Sequence, residues 1–145
     1  MTMQEHTLID YTLGGLLEKW ATELPDRDFM VYPDRGLRFS YSVFNQRVDN
    51  YARGLLSIGV GRGDKVGIWA RNVPDWLTVM FACAKIGAVL VTVNTNYKGS
   101  EVDYIMRNAD IHTMCLVNGY RDSDYVSIMF ELVPELKTQP RGRLR

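Results

Sequence analysis

Long apolar runs are absent from this sequence, and none approaches the ~20 residues that a membrane-spanning helix needs. The N-terminus, residues 1–6, also lacks the basic start and the apolar stretch that make up a secretory signal. We therefore expect a cytoplasmic protein with no transmembrane segment.

An excess of charge of one sign is also missing. The 17 Lys and Arg residues balance 17 Asp and Glu residues, so the formal net charge is +0. Such a chain has no overall field to attract nucleic acid. The three arginines near the C-terminus, Arg141, Arg143 and Arg145, have no aromatic residues between them, which favours a solvated linker over a nucleic-acid site. We expect no nucleic-acid partner.

Cysteine and histidine, which dominate metal sites and many catalytic sites, are scarce. Cys83 and Cys115 lie far apart in apolar segments, which predicts buried free thiols rather than a disulfide or a metal site. His6 and His112 are separated by most of the chain and have no carboxylate or cysteine at ligand spacing. We therefore predict neither a metal ligand nor a general base among them.

Several catalytic motifs are missing as well. The sequence contains no Gly-x-x-x-x-Gly-Lys-Ser/Thr loop and no Gly-x-Ser-x-Gly elbow. The glycine-rich segment 59–63 follows a predicted helix and precedes a strand, the reverse of a nucleotide-binding loop, so it is interpreted as a helix end and a turn. Two acidic pairs lie at predicted helix starts, where capping explains them: Asp122 with Asp124, and Glu101 with Asp103.

What the sequence does contain is globular composition, 46% hydrophobic and 23% charged over 145 residues, enough for one domain with a core. Helical patterns cover residues 13–24, 41–58, 74–86, 101–108 and 123–132. Strand patterns cover residues 29–32, 37–39, 65–70, 88–93 and 113–117. The alternation predicts an α/β fold with a parallel sheet and alternating helices, to which an N-terminal helix and a β-hairpin are added.

Some local predictions are specific enough to be tested by a structure. Ser40 is expected to cap the second helix, because its hydroxyl can accept from an unpaired backbone N–H. Ser100 and Asp103 resemble a capping box, and Asp122 is expected to cap the last helix. Segment 88–93 is apolar throughout, which is typical of a strand buried on both faces.

The pattern ends at Pro134, after which the sequence is polar, basic and aperiodic. We predict that residues 1–133 are a partial N-terminal subdomain. Residues 134–145 are then a connector to a remainder that the chain does not contain.

Three segments together resemble the opening of an AMP-forming acyl-CoA synthetase, a member of the adenylate-forming superfamily. Phe39-Ser40-Tyr41 keeps the Ser-Tyr of the first family motif but lacks its Glu. Residues 85–94 match the second motif, with Thr92 where the family commonly has proline. The ending Asn94-Thr95-Asn96-Tyr97 is closer to acyl-CoA synthetases than to peptide-synthetase domains. The resemblance spans residues 39–117.

This resemblance implies that the chain is part of the N-terminal domain of a larger ligase. The family joins a carboxylic acid, here expected to be a fatty acid, to ATP to form acyl-AMP, and CoA then displaces AMP. The parent would use ATP, CoA and Mg²⁺. The segments that handle ATP in the family are not in this chain, so we assign it no catalytic, cofactor-binding or metal-binding residue. We expect the fragment to be inactive and to bind none of these cofactors.

Two other hypotheses remain open: a self-sufficient flavodoxin-like module that binds a ligand or partner, and a regulatory protein derived from a truncated synthetase. The absence of a phosphate-binding turn argues against the first of these. If the parent core continues beyond this chain, a sheet edge or an apolar helix face is left uncovered, and we expect self-association through it.

Overall fold

The computed structural model describes residues 10–139 and has the predicted order of elements. The helices are α1 (Leu13–Glu23), α2 (Tyr41–Ser57), α3 (Pro74–Ile86), α4 (Gly99–Asn108) and α5 (Tyr125–Leu132). The strands are β1 (Asp28–Tyr32), β2 (Leu37–Ser40), β3 (Lys65–Trp69), β4 (Val89–Thr92), β5 (Ile111–Leu116), β6 (Gly119–Tyr120) and β7 (Ser123–Asp124). Short 3-10 turns cover Pro33–Arg35 and Pro134–Lys137.

The central sheet is parallel and has the order β4-β3-β5. The connections from β3 to β4 and from β4 to β5 cross the sheet in opposite directions, so right-handed crossovers place α3 and α4 on opposite faces. Each face carries its own hydrophobic cluster. One is built mainly on α2 and α3, and the other on Trp69 with α4 and α5. The predicted α/β class is confirmed.

The N-terminal hairpin is fastened to the helices by aromatic packing. β1 and β2 pair antiparallel, as predicted. Phe29 of β1 stacks on Phe44 of α2, with ring centroids 4.2 Å apart, and meets the ring of Phe81 of α3 edge to face. Ser40 ends the hairpin and caps α2, since its Oγ accepts from the N–H of Val43 at 3.4 Å. That predicted cap is confirmed.

A lysine near the end of α3 joins the three N-terminal helices. Lys85 Nζ lies 2.6 Å from the carboxylate of Asp49 and 2.8 Å from the amide oxygen of Asn45, both on α2. The same atom lies 2.8 Å from the carboxylate of Glu18 on α1. The Lys85 side chain is only 10% exposed. At Gly14 of α1, a Cβ would stand 2.9 Å from Lys85 Cγ, so the close approach of the two helices needs glycine there.

Burial alone would lower the pKa of Lys85 by disfavouring the charged ammonium. The hydrogen bonds to Asp49 and Glu18 outweigh burial, and the pKa of Lys85 is raised above its ordinary value. The lysine therefore stays charged and joins one carboxylate of α1 and one of α2 to α3.

A second polar link joins α2 to the start of α3. The guanidinium of Arg47 pairs with Asp75, and its Nε donates to Thr78 Oγ1 at 3.2 Å. The hydroxyl of Tyr51 donates to the same Asp75 carboxylate at 2.8 Å. Burial opposes ionisation of Asp75, but the hydrogen bonds from Tyr51 and Arg47 prevail and hold its pKa below the usual value.

The prediction that segment 88–93 is buried on both faces is wrong. Val89 is 49% exposed, and Thr92 is exposed too. The physical reason is that β4 lies at the edge of the sheet, and no strand within residues 10–139 pairs with its second side. An apolar run predicts that a segment forms a strand, but it does not predict whether that strand lies at the centre or at the edge of the sheet.

The predicted cap of α5 is also wrong, because the helix begins later than expected. Residues 119–124 form the small antiparallel hairpin β6–β7, which the sequence patterns did not predict. Asp124 therefore caps α5, its Oδ1 accepting from the N–H of Ser127 at 3.0 Å. Asp122 accepts from Lys98 Nζ at 3.2 Å instead.

Ser100 and Asp103 do not form the predicted capping box, because α4 begins at Gly99. The carboxylate of Glu101 accepts from the N–H of Lys98 at 2.7 Å and fulfils that role. Asp103 accepts two hydrogen bonds from Arg107, each 2.9 Å long. Of the four acidic residues assigned to caps, Glu101 and Asp124 act as caps and the other two form ion pairs.

The cysteines are free, as predicted. Cys83 is buried, and burial raises its pKa to about 11; burial also raises the pKa of Cys115. His112 contradicts the prediction that no carboxylate lies nearby, because its Nε2 is 3.2 Å from Asp110 Oδ1 on the preceding turn. Within the described part of the chain no group of His, Cys, Asp and Glu could hold a metal ion. His6 and the three C-terminal arginines lie outside the described residues.

Two further sequence predictions concern membrane-spanning helices and the segment after α5. Within residues 10–139, the helices are too short or too polar to cross a membrane. After α5 the chain makes the 3-10 turn Pro134–Lys137, and Leu136 packs against the second hydrophobic cluster. The boundary between a subdomain ending at residue 133 and a connector from residue 134 stays a prediction.

We predict that Lys85→Met lowers the free energy of unfolding by about 2 kcal/mol, because it leaves two carboxylates and an amide oxygen without their shared donor. Urea denaturation measures the change. The matched control is Lys19→Met, which removes the i,i+4 ion pair with Glu23 within α1. Such a surface pair is worth less than about 0.5 kcal/mol. Equal effects of the two substitutions would contradict the role of Lys85.

The same variant makes a prediction about pH. The pKa of Lys85 is raised in the folded chain above its ordinary value of 10.5. The contribution of the lysine is therefore fully present below pH 10.5 and is lost as the pH rises through the folded value. The difference in unfolding free energy between wild type and Lys85→Met should be constant at neutral pH and shrink only in strong alkali. A difference that disappears near neutral pH would contradict this assignment.

Candidate functional site

A large cleft lies where β3 and β5 end. It has a volume of about 880 Å³. Arg71 follows the end of β3 and Asn118 follows the end of β5, so the cleft is at the carboxyl edge of the parallel sheet, where open α/β sheets bind ligands. The remaining lining comes from the β6–β7 hairpin and the start of α5: Gly119, Tyr120, Arg121, Asp122, Ser123, Asp124 and Val126.

Two buried aromatic residues hold this end of the sheet together. Trp69 of β3 and Tyr125 of α5 are 0% exposed and stack with ring centroids 3.7 Å apart. Trp69 Nε1 donates to the carbonyl of Asn94 at 3.0 Å, and the Tyr125 hydroxyl donates to the carbonyl of Thr95 at 2.7 Å. Asn94 also accepts from the N–H of Asn96 at 2.9 Å, which closes a turn. The loop after β4 is therefore fixed beside the cleft.

The β6–β7 hairpin forms one wall of the cleft, and the lysine that immediately precedes α4 supports it. Lys98 Nζ donates to Ser123 Oγ at 2.6 Å and to Asp122 at 3.2 Å. The hydrogen bond from Lys98 holds the pKa of Asp122 below its usual value. At Gly119 a Cβ would stand 2.3 Å from the carbonyl oxygen of Ser123, so the tight pairing of the two strands requires glycine.

Arg121 lies at the turn of this hairpin in an unfavourable backbone conformation. It is the first of the two residues between the paired Tyr120 and Ser123, and its φ is +54°. Two-residue hairpin turns favour glycine where φ is positive. The Arg121 guanidinium lies over the Tyr120 ring, 5.1 Å from the centroid. A long cationic side chain therefore occupies a position that glycine would fill with less strain.

Two arginines and two aspartates line the cleft, so the formal charges of its lining balance. Arg71 and Arg121 are exposed and form no ion pair with another residue of the described range. The two lining carboxylates are engaged elsewhere, Asp122 by Lys98 and Asp124 by Ser127. A guanidinium binds phosphate or carboxylate oxygens through paired N–H groups. The cleft can therefore bind an anionic group.

Sequence reasoning assigned no site residue and missed both arginines. A usable signal was present, because each follows a strand of a sheet predicted to be parallel, at the edge where ligands bind. The prediction for the glycine-rich segment 59–63 is confirmed, because the segment forms a helix end and a turn. Gly59 and Gly63 have φ of +92° and +85°, and Asp64 accepts from the N–H of Gly61 at 2.7 Å.

Comparison with known proteins adds independent evidence. A family model described as "AMP-binding enzyme" matches residues 17–142. The chain is 47% identical over 138 residues to "Putative acyl-CoA synthetase YngI" of Bacillus subtilis, covering 95% of this chain and 25% of that protein. It is 32% identical over 143 residues to "Medium-chain acyl-CoA ligase ACSF2, mitochondrial" of Danio rerio, covering 99% of this chain and 24% of that protein.

Among solved structures, the chain resembles a "putative long-chain-fatty-acid CoA ligase" from Rhodopseudomonas palustris. The TM-score is 0.75 at 29% identity, covering 89% of this chain and 31% of that one. The chain thus spans about a quarter of the length of the curated relatives it matches.

We predict that Arg121→Gly leaves the free energy of unfolding unchanged or raises it by up to about 1 kcal/mol, because glycine adopts a positive φ without strain. Asp110→Gly is the comparison, since Asp110 also has a φ of +54° and lies outside the cleft, but this substitution also removes the contacts of Asp110 with Lys65 and His112. Thermal and urea unfolding of both variants measure the effect. Marked destabilisation by Arg121→Gly would show that the side chain serves the fold.

Proposed function

Because the family model matches residues 17–142, the chain belongs to the AMP-binding enzyme family, and we propose that it forms the N-terminal part of an acid–thiol ligase. The resemblance drawn from residues 39–117 is thereby confirmed. The observation that carries the proposal is the 47% identity to a relative named as an acyl-CoA synthetase, over 95% of this chain.

The proposed reaction has two steps. A carboxylate oxygen of the acid attacks the α-phosphorus of ATP, forming acyl-AMP and releasing pyrophosphate. The sulfur of CoA then attacks the acyl carbon, the thiol proton is lost, and AMP leaves with the electrons of the broken bond. Negative charge develops on phosphate oxygens, so Mg²⁺ and positively charged side chains would stabilise both steps.

We propose a fatty acid as the substrate class. Two similar proteins support this choice by name, one as a medium-chain acyl-CoA ligase and the other as a long-chain-fatty-acid CoA ligase. Ser123 Oγ is buried and accepts from Lys98, an arrangement that does not activate it as a nucleophile. The chain then serves as scaffold, and the groups that transfer the adenylate come from the rest of the longer protein.

Within that longer protein, the cleft arginines are proposed to bind a phosphate-bearing substrate. Both ATP and CoA carry such groups, and Arg71 and Arg121 are the cations of the cleft lining. That the chain alone binds none of these molecules stays a prediction. Strain at Arg121 supports a functional side chain, because stability alone would favour glycine at that turn.

We propose the cytoplasm as the location of the longer protein. The name of the Danio rerio relative places that protein in mitochondria, so cell fractionation with an antibody against this chain is the appropriate test. Recovery in the mitochondrial fraction would overturn the proposal.

The principal experiment uses ATP–pyrophosphate exchange with a series of fatty acids. We expect no exchange with the chain alone. A chimera in which this chain replaces the matching quarter of the Bacillus subtilis relative should show exchange, because the two share 47% of their residues there. Exchange by the rigorously purified chain would contradict its inactivity. A folded chimera that stays inactive, beside an active parent, would contradict the ligase proposal.

In the same chimera, Arg71→Gln and Arg121→Gln should each raise the KM for ATP or for CoA by about 10- to 100-fold, because a hydrogen bond to a charged group contributes about 1.5–3 kcal/mol. Arg53→Gln is the control, since Arg53 bonds only Asn50 on the surface of α2 within the described residues. Steady-state kinetics with each substrate varied in turn distinguishes the two ligands. Unchanged KM values for both would exclude the cleft as a phosphate site.

A further inference from the structure

The cleft lining contains as many aspartates as arginines, and such groups can pair with one another and leave no cation for a substrate. Within residues 10–139, however, neither aspartate pairs with an arginine of the cleft. Asp124 caps α5, its carboxylate accepting from the N–H and the hydroxyl of Ser127 at 3.0 and 2.9 Å. Asp122 directly follows Arg121, yet it pairs with Lys98, whose Nζ lies 3.2 Å from its carboxylate.

The backbone of Lys98 is held in place at the start of α4. Its N–H donates to the carboxylate of Glu101 at 2.7 Å. Its carbonyl accepts from the N–H groups of Glu101 and Val102 at 3.1 and 3.0 Å, and Val102 is fully buried. The loop of residues 94–97, immediately before Lys98, is fixed by the buried aromatic stack. The side chain of Lys98 therefore extends to the β6–β7 hairpin from a fixed point of the fold.

A second contact fixes the ammonium group of Lys98 at the hairpin. The Asp122 side chain is 82% exposed, and an ion pair in such a setting is weak when it stands alone. Lys98 Nζ also donates to Ser123 Oγ at 2.6 Å, and Ser123 is buried. The hydrogen bond from Lys98 holds the pKa of Asp122 below its usual value, and the charge of Arg121 lowers this pKa further. Arg121 and Asp122 are the two consecutive residues of the turn, so the guanidinium and the ammonium compete for one carboxylate.

We propose that Lys98 is a positioning residue for the phosphate-bearing substrate, because it holds the Asp122 carboxylate away from Arg121 and so leaves the Arg121 guanidinium available to that substrate. This role rests on the proposed function, since the substrate is the one proposed for the cleft. Without the lysine, the freed carboxylate pairs with Arg121 and repels phosphate oxygens. Lys98 is not among the residues that line the cleft, so it acts on the substrate through Asp122.

Steady-state kinetics of the chimera with the Bacillus subtilis relative test this role. Lys98→Met should raise the KM for the substrate that Arg121 binds by up to about fivefold, because that substrate must displace an exposed ion pair. The kcat should stay unchanged, since the lost interaction is one of substrate binding. Lys98→Met combined with Asp122→Asn should restore the KM, because the competing carboxylate is gone. Lys98→Arg, which keeps the charge, should leave the KM unchanged.

Lys65→Met is the matched control. Lys65 also pairs with an exposed aspartate, Asp110, at 3.4 Å, but it begins β3 and so lies at the opposite edge of the sheet from the cleft. This control should leave the KM unchanged.

The kinetic outcomes separate the role of Lys98 from the proposed function. An unchanged KM in Lys98→Met, beside a raised KM in Arg121→Gln, would overturn the role of Lys98 and leave the proposed function standing. Equal defects in Lys98→Met and in the double variant with Asp122→Asn would also overturn the role, because the lysine would then act on the fold and not through the carboxylate. Unchanged KM values in Arg121→Gln and Lys98→Met together would overturn both proposals.

Chemical modification of the 145-residue chain tests the same role without any substrate. Phenylglyoxal modifies guanidinium groups, and it reacts more slowly with a guanidinium that is held in an ion pair. Peptide mass spectrometry should show slower modification of Arg121 in Lys98→Met than in the wild type. The double variant with Asp122→Asn should regain the wild-type rate. Arg53, on the surface of α2, is the internal reference and should react equally in all three chains. Equal rates at Arg121 in all three chains would overturn the role of Lys98.

Discussion

The ion pairs of one nearly buried lysine hold the N-terminal half of this fold together. Lys85 draws Asp49 of α2 and Glu18 of α1 onto the end of α3. Removing the lysine leaves both carboxylates without their shared partner, whereas removing either carboxylate leaves Lys85 paired with the other. The arrangement also explains Gly14, since only glycine lets α1 approach the Lys85 stem. Within the family motif that contains it, Lys85 therefore joins three helices.

The opposite end of the sheet is organised by aromatic packing instead of charge. The stacked rings of Trp69 and Tyr125 are fully buried. The indole N–H of Trp69 donates to the carbonyl of Asn94, and the hydroxyl of Tyr125 donates to the carbonyl of Thr95. Three segments distant in sequence are thereby fixed at the carboxyl ends of the strands. This rigid base lets the exposed hairpin place Arg121 at the cleft even though its backbone conformation is unfavourable.

The sequence predicted local features well because their causes are local. The alternation of helix and strand, the Ser40 cap and the turn at 59–63 all depend on residues within a few positions of one another. The partners of Lys85 lie 36 or more positions away, and nothing in a single sequence pairs them. The β6–β7 hairpin was missed because strands of two residues have no period to detect. It then displaced the cap of α5 from Asp122 to Asp124.

Two features of this fold are locally unfavourable: the positive φ of Arg121 and the unpaired edge of β4. Strain at Arg121 is borne within one chain, at a residue that lines the cleft. The bare edge of β4 costs little within one chain, since all its inward groups are paired with β3. The open edge matters only when another strand comes near, because its unpaired backbone groups can then form hydrogen bonds with that strand. A short strand limits any such contact to a few hydrogen bonds.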